Sequence, residues 1–212
     1  MEIETPDREN AATYAGHNLR IRDDDPDYPA LELANFMIGG GFLNSRLAER
    51  LRQEEGFSYS VGSSLQVGSL DESGEFRVYA IHAPQNREKV LEAIREELRK
   101  VVEEGFTAEE LEAARDGYLR QQQTTRNNDR ALVGTIGNKL YLDRTFGWDA
   151  RLEREIGELT LEELNRVAAE YIDPDALTVV QAGDFTGDGG DGEAADGESG
   201  DARGGTGPEE AP

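Results

Sequence analysis

Only two histidines occur in the chain, His17 and His82, so histidine-based metal chemistry would have to depend on them. A catalytic zinc ion normally takes three protein ligands and a water molecule. Neither residue belongs to a His-Glu-x-x-His or His-x-x-Glu-His sequence, the motifs that place two imidazoles beside a catalytic carboxylate on one helix. Cysteine is absent, which also excludes thiolate sites and disulfides. The sequence therefore predicts no zinc site on this chain and two histidines that are structural or exposed.

Other catalytic patterns are equally incomplete. Ser45, Ser58 and Ser60 have no Gly-x-Ser-x-Gly sequence around them, and no Gly-x-x-x-x-Gly-Lys-Ser/Thr loop exists. A carboxylate site for calcium or magnesium is compatible with 45 acidic residues, but no Asp-x-Asp-x-Asp-Gly loop is present. An independent carboxylate–metal hydrolase is therefore the weakest function considered, and the absence of bound metal in elemental analysis would exclude it.

Three consecutive glycines, Gly39, Gly40 and Gly41, follow an apolar helical run rather than a strand, which does not fit a dinucleotide-binding loop. Glycine is favoured where a helix stops in a left-handed conformation or where two backbones approach closely. Helix termination is thus the first interpretation of these glycines, and a ligand-binding loop is the alternative.

Arg52 and Tyr59 flank the turn at Gly56 and are the residues best suited to contact a substrate. In the plain structural interpretation, Arg52 pairs with a neighbouring glutamate, at position 49, 54 or 55, and Tyr59 packs in a sheet. In the functional interpretation, both side chains donate hydrogen bonds to an extended peptide backbone, and either could stabilise an oxyanion.

The elements that position these residues follow from hydrophobic periodicity and helix signals. Strands are predicted over residues 12–21, 57–67, 75–81 and 177–182. Helices are predicted over residues 30–38 and 45–53, and from residue 85 or 86 to Gly105. Two more begin at capping boxes that start with Thr107 and Thr160. A further helix is predicted over residues 131–141, and a helix or helical loop over residues 149–158. Within residues 131–141, an apolar stripe comprises Leu132, Ile136 and Leu140. Adjacent antiparallel strands and clustered helices predict an α+β, two-layer domain whose mostly antiparallel sheet is covered by helices on one face.

The composition is strongly acidic, with 45 Asp and Glu against 22 Lys and Arg, for a net charge of −23. Nucleic acid is disfavoured as a partner because phosphate binding depends on Lys and Arg. No apolar run is long enough to cross a membrane, so membrane insertion is not expected. A strongly acidic surface keeps a protein soluble at high salt, where salt screens the repulsion between its own charges. The acidic excess therefore suggests a halophilic source.

The chain divides into three parts. Residues 1–10 are polar and are expected to be frayed, and residues 11–186 form the module. Residues 187–212 contain eight acidic residues, one arginine and no aromatic or branched aliphatic residue. Such a segment buries too little apolar surface to offset its ordering entropy, so it is predicted to be a disordered acidic tail.

Several sequence blocks resemble the C-terminal modules of the M16 metallopeptidases, the family of pitrilysin, insulin-degrading enzyme and the mitochondrial processing peptidase. They are Asp-Asp-Asp-Pro-Asp-Tyr-Pro-Ala-Leu (23–31), Gly-Gly-Gly-Phe-Leu-Asn-Ser-Arg-Leu (39–47) and Leu-Arg-Gln-Glu-Glu-Gly-Phe-Ser-Tyr-Ser-Val (51–61). The segment 171–184 resembles the strand that closes such a module. Together with residues 144–148, this segment makes the chain most similar to the last module of a long, multi-module member of the family. The resemblance covers residues 11–186.

The resemblance implies an M16-type module that closes with others like a clamshell around an unfolded peptide. One module would carry a His-x-x-Glu-His zinc site, and the opposite module would supply an arginine and a tyrosine that grip the peptide. These fall on Arg52 and Tyr59, with Gly39, Gly40 and Gly41 before them. Because the zinc motif is absent here, the chain resembles the non-catalytic, substrate-gripping half, with zinc expected on a partner module and no hydrolysis by this chain alone.

Two functional hypotheses follow from the resemblance. In the first, the chain completes a peptidase site whose metal lies on another module of the same protein or on another subunit. In the second, it is a structural or assembly module that contacts no peptide. An isolated module is also expected to self-associate through the face that its partner would cover.

Overall fold

The computed structural model describes residues 1–41 and 45–186. The expected disordered tail at residues 187–212 lies outside the described residues. Within residues 1–41 and 45–186, no helix is long and apolar enough to cross a membrane.

A five-stranded sheet has the strand order β1-β5-β2-β4-β3. The strands are β1 (Glu2–Glu4), β2 (Ala11–Leu19), β3 (Ser58–Val67), β4 (Gly74–His82) and β5 (Thr178–Gly183). All neighbouring pairs are antiparallel except β1 with β5, which is parallel. The predicted, mostly antiparallel sheet is therefore confirmed, and β3 lies at one edge of it.

The helices among the described residues lie mainly between β4 and β5 in the chain. They are α1 (Tyr28–Asn35), α2 (Arg46–Ala48), α3 (Arg87–Glu103), α4 (Ala108–Arg126), α5 (Asp129–Tyr141), α6 (Gly147–Glu158) and α7 (Leu161–Tyr171). Two of them continue as π-helical turns, α1 through Phe36–Gly40 and α2 through Glu49–Glu54. A short 3₁₀ turn at Pro84–Asn86 leads into α3.

Buried and partly exposed residues alternate along the strands, which gives the sheet one buried face and one exposed face. In β4, Phe76, Val78 and Ala80 are completely buried, whereas the residues between them are partly exposed. Helix α3 packs against β2 and β4, and α1 and α2 pack against β3. One face of the sheet therefore carries the helices and the core, and this confirms the α+β, two-layer prediction.

Both predicted capping boxes are present. The Thr107 hydroxyl accepts a hydrogen bond from the Glu110 backbone N–H (3.2 Å), and the Glu110 carboxylate accepts one from the Thr107 N–H (2.7 Å). Thr160 and Glu163 repeat the arrangement at the start of α7. Each box satisfies backbone donors that would otherwise lack a partner at the first turn of a helix, which explains why α4 and α7 begin where the sequence predicts.

One expectation needs correction. Residues 1–10 are not simply frayed, because Glu2–Glu4 pair with β5 and the Gln181 N–H donates to the Met1 carbonyl (3.0 Å). These backbone hydrogen bonds require no apolar pattern, so the polar sequence does not reveal the strand. Two residues of the predicted apolar stripe of α5 are exposed: Ile136 is 40% exposed and Leu140 is 77% exposed.

Candidate functional site

A tight turn at Gly56 separates the helix of Arg52 from the strand of Tyr59. Gly56 adopts a left-handed conformation with φ of 63°, and nothing lies within 4 Å of the position that a Cβ atom would take. Glycine is therefore favoured here by backbone conformation rather than by space. The Phe57 N–H donates to the Leu51 carbonyl (2.9 Å), which closes the turn.

The Arg52 side chain is exposed, and within residues 1–41 and 45–186 it forms no ion pair or hydrogen bond. The nearby glutamates are instead taken by Arg50, which pairs with Glu55 and lies 3.8 Å from Glu54 and 3.4 Å from Glu96. The structural interpretation of Arg52 as the partner of a neighbouring glutamate is therefore wrong. Its guanidinium group is available to a ligand.

Tyr59 lies at a β-bulge in the edge strand. Ser58 pairs with His82 and Ser60 pairs with Ile81, so Tyr59 has no residue opposite it in β4. Bulges of this kind redirect a side chain and increase the local twist. The Tyr59 side chain is 65% exposed, which is incompatible with packing inside the sheet.

Ser58 stabilises this bulge. Its hydroxyl, in a residue that is 5% exposed, lies 2.8 Å from the Ile81 carbonyl of β4 and 2.8 Å from the Ser60 carbonyl of its own strand. The hydroxyl thus spans the irregular step of the ladder beside Tyr59. In the sequence, Ser58 is a candidate only as a nucleophile, and the strict alternation Ser-Tyr-Ser gives no sign of a bulge.

The glycine segment contacts the same strand. A Cβ atom on Gly39 would lie 2.3 Å from the backbone nitrogen of Ser63, so glycine is needed for the close approach of the α1 extension to β3. The helical turn ends at Gly40, and Gly41 has φ of −79°, so helix termination here needs no left-handed residue. The Ser63 hydroxyl donates to the Asn35 side-chain oxygen (2.8 Å), which joins β3 to α1 at the same contact.

Arg46 anchors the short helix that leads to Arg52, a role that the sequence pattern does not reveal. Its guanidinium donates to the Glu110 carboxylate (2.7 Å) and to the Gly105 carbonyl (2.8 Å), and it lies over the Phe106 ring at 4.7 Å. Burial alone would raise the pKa of Glu110, but hydrogen bonds from Arg46 and Thr107 hold it below its usual value. The pair therefore remains ionised near neutral pH, and the Ser-Arg-Leu block was the only signal for it.

Both histidines have structural surroundings. His82 is completely buried, with one ring nitrogen 2.8 Å from the Thr13 hydroxyl and the other 2.9 Å from the Ala83 carbonyl. His17 accepts a hydrogen bond from the Asp173 N–H (3.3 Å). Across the described part of the chain, no group of three or more His, Cys, Asp or Glu residues is arranged to hold a metal ion.

The sheet and its helical layer have the architecture of an M16-type module. The sequence profile described as "Peptidase M16 inactive domain" matches residues 2–118. The chain belongs to the M16 peptidase family and corresponds to its inactive domain.

Individual relatives agree with this assignment. The chain is 25% identical over 172 residues to the non-peptidase homolog YmxG of Helicobacter pylori, covering 81% of this chain and 39% of that protein. It is 32% identical over 145 residues to an uncharacterized zinc protease of Streptomyces coelicolor, covering 68% and 30%. The crystal structure of the peptidase M16 inactive domain from Pseudomonas fluorescens has the same fold, with a TM-score of 0.73 and 24% identity over 86% of this chain and 42% of that one.

The chain spans less than half the length of these relatives.

Proposed function

We propose that this chain is the substrate-gripping, zinc-free half of a zinc-dependent M16 peptidase. In this proposal Arg52 and Tyr59 donate hydrogen bonds to the backbone of an extended peptide, and the zinc ion and its activated water belong to the partner module. The single observation that carries the proposal is that both side chains are exposed, on either side of one tight turn, and that Arg52 has no partner within the described residues.

The surroundings of the two residues support this role. Tyr59 lies on the edge strand β3, and an edge strand has backbone donors and acceptors that an additional extended chain can use. The bulge supported by Ser58 keeps the Tyr59 ring out of the sheet, and the Arg46–Glu110 pair fixes the helix before Arg52. Gly39, Gly40 and Gly41 are proposed to support the site by allowing α1 to approach β3. We also propose that these three glycines contact the peptide directly.

Chemically, the pair would act by positioning and by electrostatics. A guanidinium and a phenol both donate hydrogen bonds, and donors aimed at the oxygen that becomes negative in acyl transfer lower the barrier. Neither group has to gain or lose a proton to do this. Activity would therefore depend on the two donors being present, while bond cleavage depends on the partner module.

The test uses the complete parent protein, or this chain reconstituted with its zinc-bearing module. Arg52→Ala and Tyr59→Phe should each lower kcat/KM for a peptide substrate by on the order of 10²-fold, because one transition-state donor is lost. Zinc content and thermal stability should not change, since both side chains are exposed.

Arg20→Ala and Tyr14→Phe are matched controls. The Arg20 side chain is 88% exposed, and Tyr14 is 47% exposed on the strand β2. Both controls should retain the parent kcat/KM. If Arg52→Ala and Tyr59→Phe also retain it, the assigned roles are wrong.

A structural or assembly role is the second candidate function. It is favoured by the Helicobacter pylori relative, which is named a non-peptidase homolog, and by the exposed apolar side chains of α5. This role predicts a stable complex with the partner module and no dependence of binding on peptide length. Peptide binding that is lost in Arg52→Ala would exclude it as the sole function.

A further inference from the structure

The side chain of Tyr79 reaches across to the edge strand of the sheet. Tyr79 lies on β4, is partly exposed between two buried neighbours, and pairs with Gly62 of the edge strand β3. A Cβ atom on Gly62 would lie 3.0 Å from a ring carbon of Tyr79 and 3.1 Å from its hydroxyl oxygen. The ring therefore extends over Gly62, and its hydroxyl lies at the outermost strand of the sheet.

Gly62 interrupts the alternation of β3, because Val61, Gly62 and Ser63 are all buried. Residues directly opposite each other in a sheet project from the same face, so position 62 lies on the exposed face together with Tyr79. The Cβ position of Gly62 is also 3.2 Å from the Gly39 carbonyl oxygen. The Tyr79 hydroxyl is thus held where β3 meets the glycine segment, Gly39 to Gly41.

The Tyr79 hydroxyl has no hydrogen-bond partner within residues 1–41 and 45–186. A phenol can donate one hydrogen bond and accept another, and a tyrosine that is partly buried usually has a partner for its hydroxyl. The packing of the ring over a glycine would be the same with phenylalanine, so it does not account for the hydroxyl. A donor at the edge of the sheet without a partner in the described chain is available to a ligand.

We propose that Tyr79 is a further peptide-binding residue, whose hydroxyl donates a hydrogen bond to the peptide where it passes the glycine segment. This inference rests on the proposed function, because the ligand is the extended peptide held by Arg52 and Tyr59.

The position of Tyr79 makes this contact depend on peptide length. Gly62, beneath the ring, follows Tyr59 by three positions on β3. At about 3.3 Å per residue, a peptide must extend roughly three residues, or about 10 Å, beyond the group held by Tyr59 before it meets the Tyr79 hydroxyl. Tyr79 therefore selects longer extended peptides over short ones.

The test measures the Kd of fluorescein-labelled peptides by fluorescence anisotropy, with the complete parent protein or with this chain reconstituted with its zinc-bearing module. One short peptide is lengthened by one residue at a time, in separate series toward each end. In one series, Kd should fall by about fivefold at the length that reaches Tyr79, as expected for one added hydrogen bond. Tyr79→Phe should lack this step and should bind the short peptides as the parent does.

Tyr79→Phe keeps the ring over Gly62 and removes a hydroxyl without a partner in the described residues, so the thermal midpoint should not change. Tyr14→Phe is the matched control. Tyr14 pairs with Tyr79 from the next strand inward, β2, and is 47% exposed on the same face. This variant should retain the step in Kd.

Equal Kd values for the parent and Tyr79→Phe at every length would overturn the inference, as would the same loss in Tyr14→Phe. A loss in Tyr79→Phe that is equal for short and long peptides would also contradict it. Arg52→Ala separates this inference from the proposed function, because it should raise Kd at every length. If Arg52→Ala has no effect while Tyr79→Phe removes the step, the role of Arg52 is wrong and that of Tyr79 stands.

Discussion

His82 shows how one buried residue couples the stability of this protein to pH. The Gln181 amide donates to the Thr13 hydroxyl (3.1 Å), so the Thr13 proton is free to be donated to one ring nitrogen of His82, while the other ring nitrogen donates to the Ala83 carbonyl. This arrangement satisfies a neutral imidazole. A protonated ring would be a donor at both nitrogens and would leave the Thr13 proton without an acceptor.

The pH dependence follows from this environment. Burial lowers the pKa of His82 below its ordinary value, despite the hydrogen bond to Ala83. Below about pH 6.5 the unfolded chain therefore binds a proton that the folded chain does not, and stability is lost as the pH falls. We expect the free energy of unfolding, measured with urea, to decrease from pH 7 to pH 5.5 by at most about 1.4 kcal/mol per pH unit.

His82→Gln should be less stable at pH 7 but should have a flatter pH profile in this range. His17→Gln replaces the only other histidine of the sequence and is measured alongside it. An equal slope in the parent chain and in His82→Gln would show that another group is responsible.

At the residue scale, sequence pattern predicted the capping residues and the turn at Gly56, since each follows from a local backbone requirement. The availability of Arg52 was not predicted, because Glu54 and Glu55 lie within its reach in sequence and only the fold assigns both of them to Arg50. The exposure of Tyr59 depends on a bulge that is set by pairing with β4, 23 residues away, and not by the residues beside it.

At the scale of elements, the contact between α1 and β3 is the one most sensitive to side-chain size. Gly39→Ala would place a Cβ atom 2.3 Å from the Ser63 nitrogen, and backbone rather than a flexible side chain would have to move. We expect a loss of roughly 1–3 kcal/mol in the free energy of unfolding, typical of overpacking a close contact. Denaturant unfolding measures it directly.

Gly157→Ala provides the comparison for this prediction. Gly157 lies inside α6, and nothing is within 4 Å of the position that its Cβ would take. Alanine should therefore stabilise the protein by roughly 0.5–1 kcal/mol through its better helix propensity. If both substitutions had the same sign, close approach would not be the reason for glycine at position 39.

The limits of sequence pattern also differ between elements. Strands β2 to β5 and the helices that follow the capping boxes were predicted because they bury one face or satisfy their own first turn. Strand β1 was missed because it adds only backbone hydrogen bonds at an edge. The stripe of α5 was detected, but periodicity does not distinguish a face packed in the core from one left for another molecule.

At the scale of the whole molecule, the net charge of −23 should make stability depend on salt. Self-repulsion among carboxylates opposes the compact state and is screened as the Debye length falls from about 10 Å at 0.1 M to about 3 Å at 1 M. We expect the thermal midpoint to rise between low and molar KCl. A midpoint that did not rise would contradict the proposed adaptation to a salt-rich environment.

A charge variant separates screening from a general effect of salt on apolar burial. Glu103 and Glu104 are exposed at the C-terminal end of α3, where negative charge also opposes the helix dipole. The double substitution Glu103→Lys and Glu104→Lys reduces the magnitude of the net charge by four. It should raise the thermal midpoint at low salt and leave a smaller further gain at molar salt. An unchanged salt response in this variant would mean that strengthened apolar burial, not charge screening, underlies the salt effect.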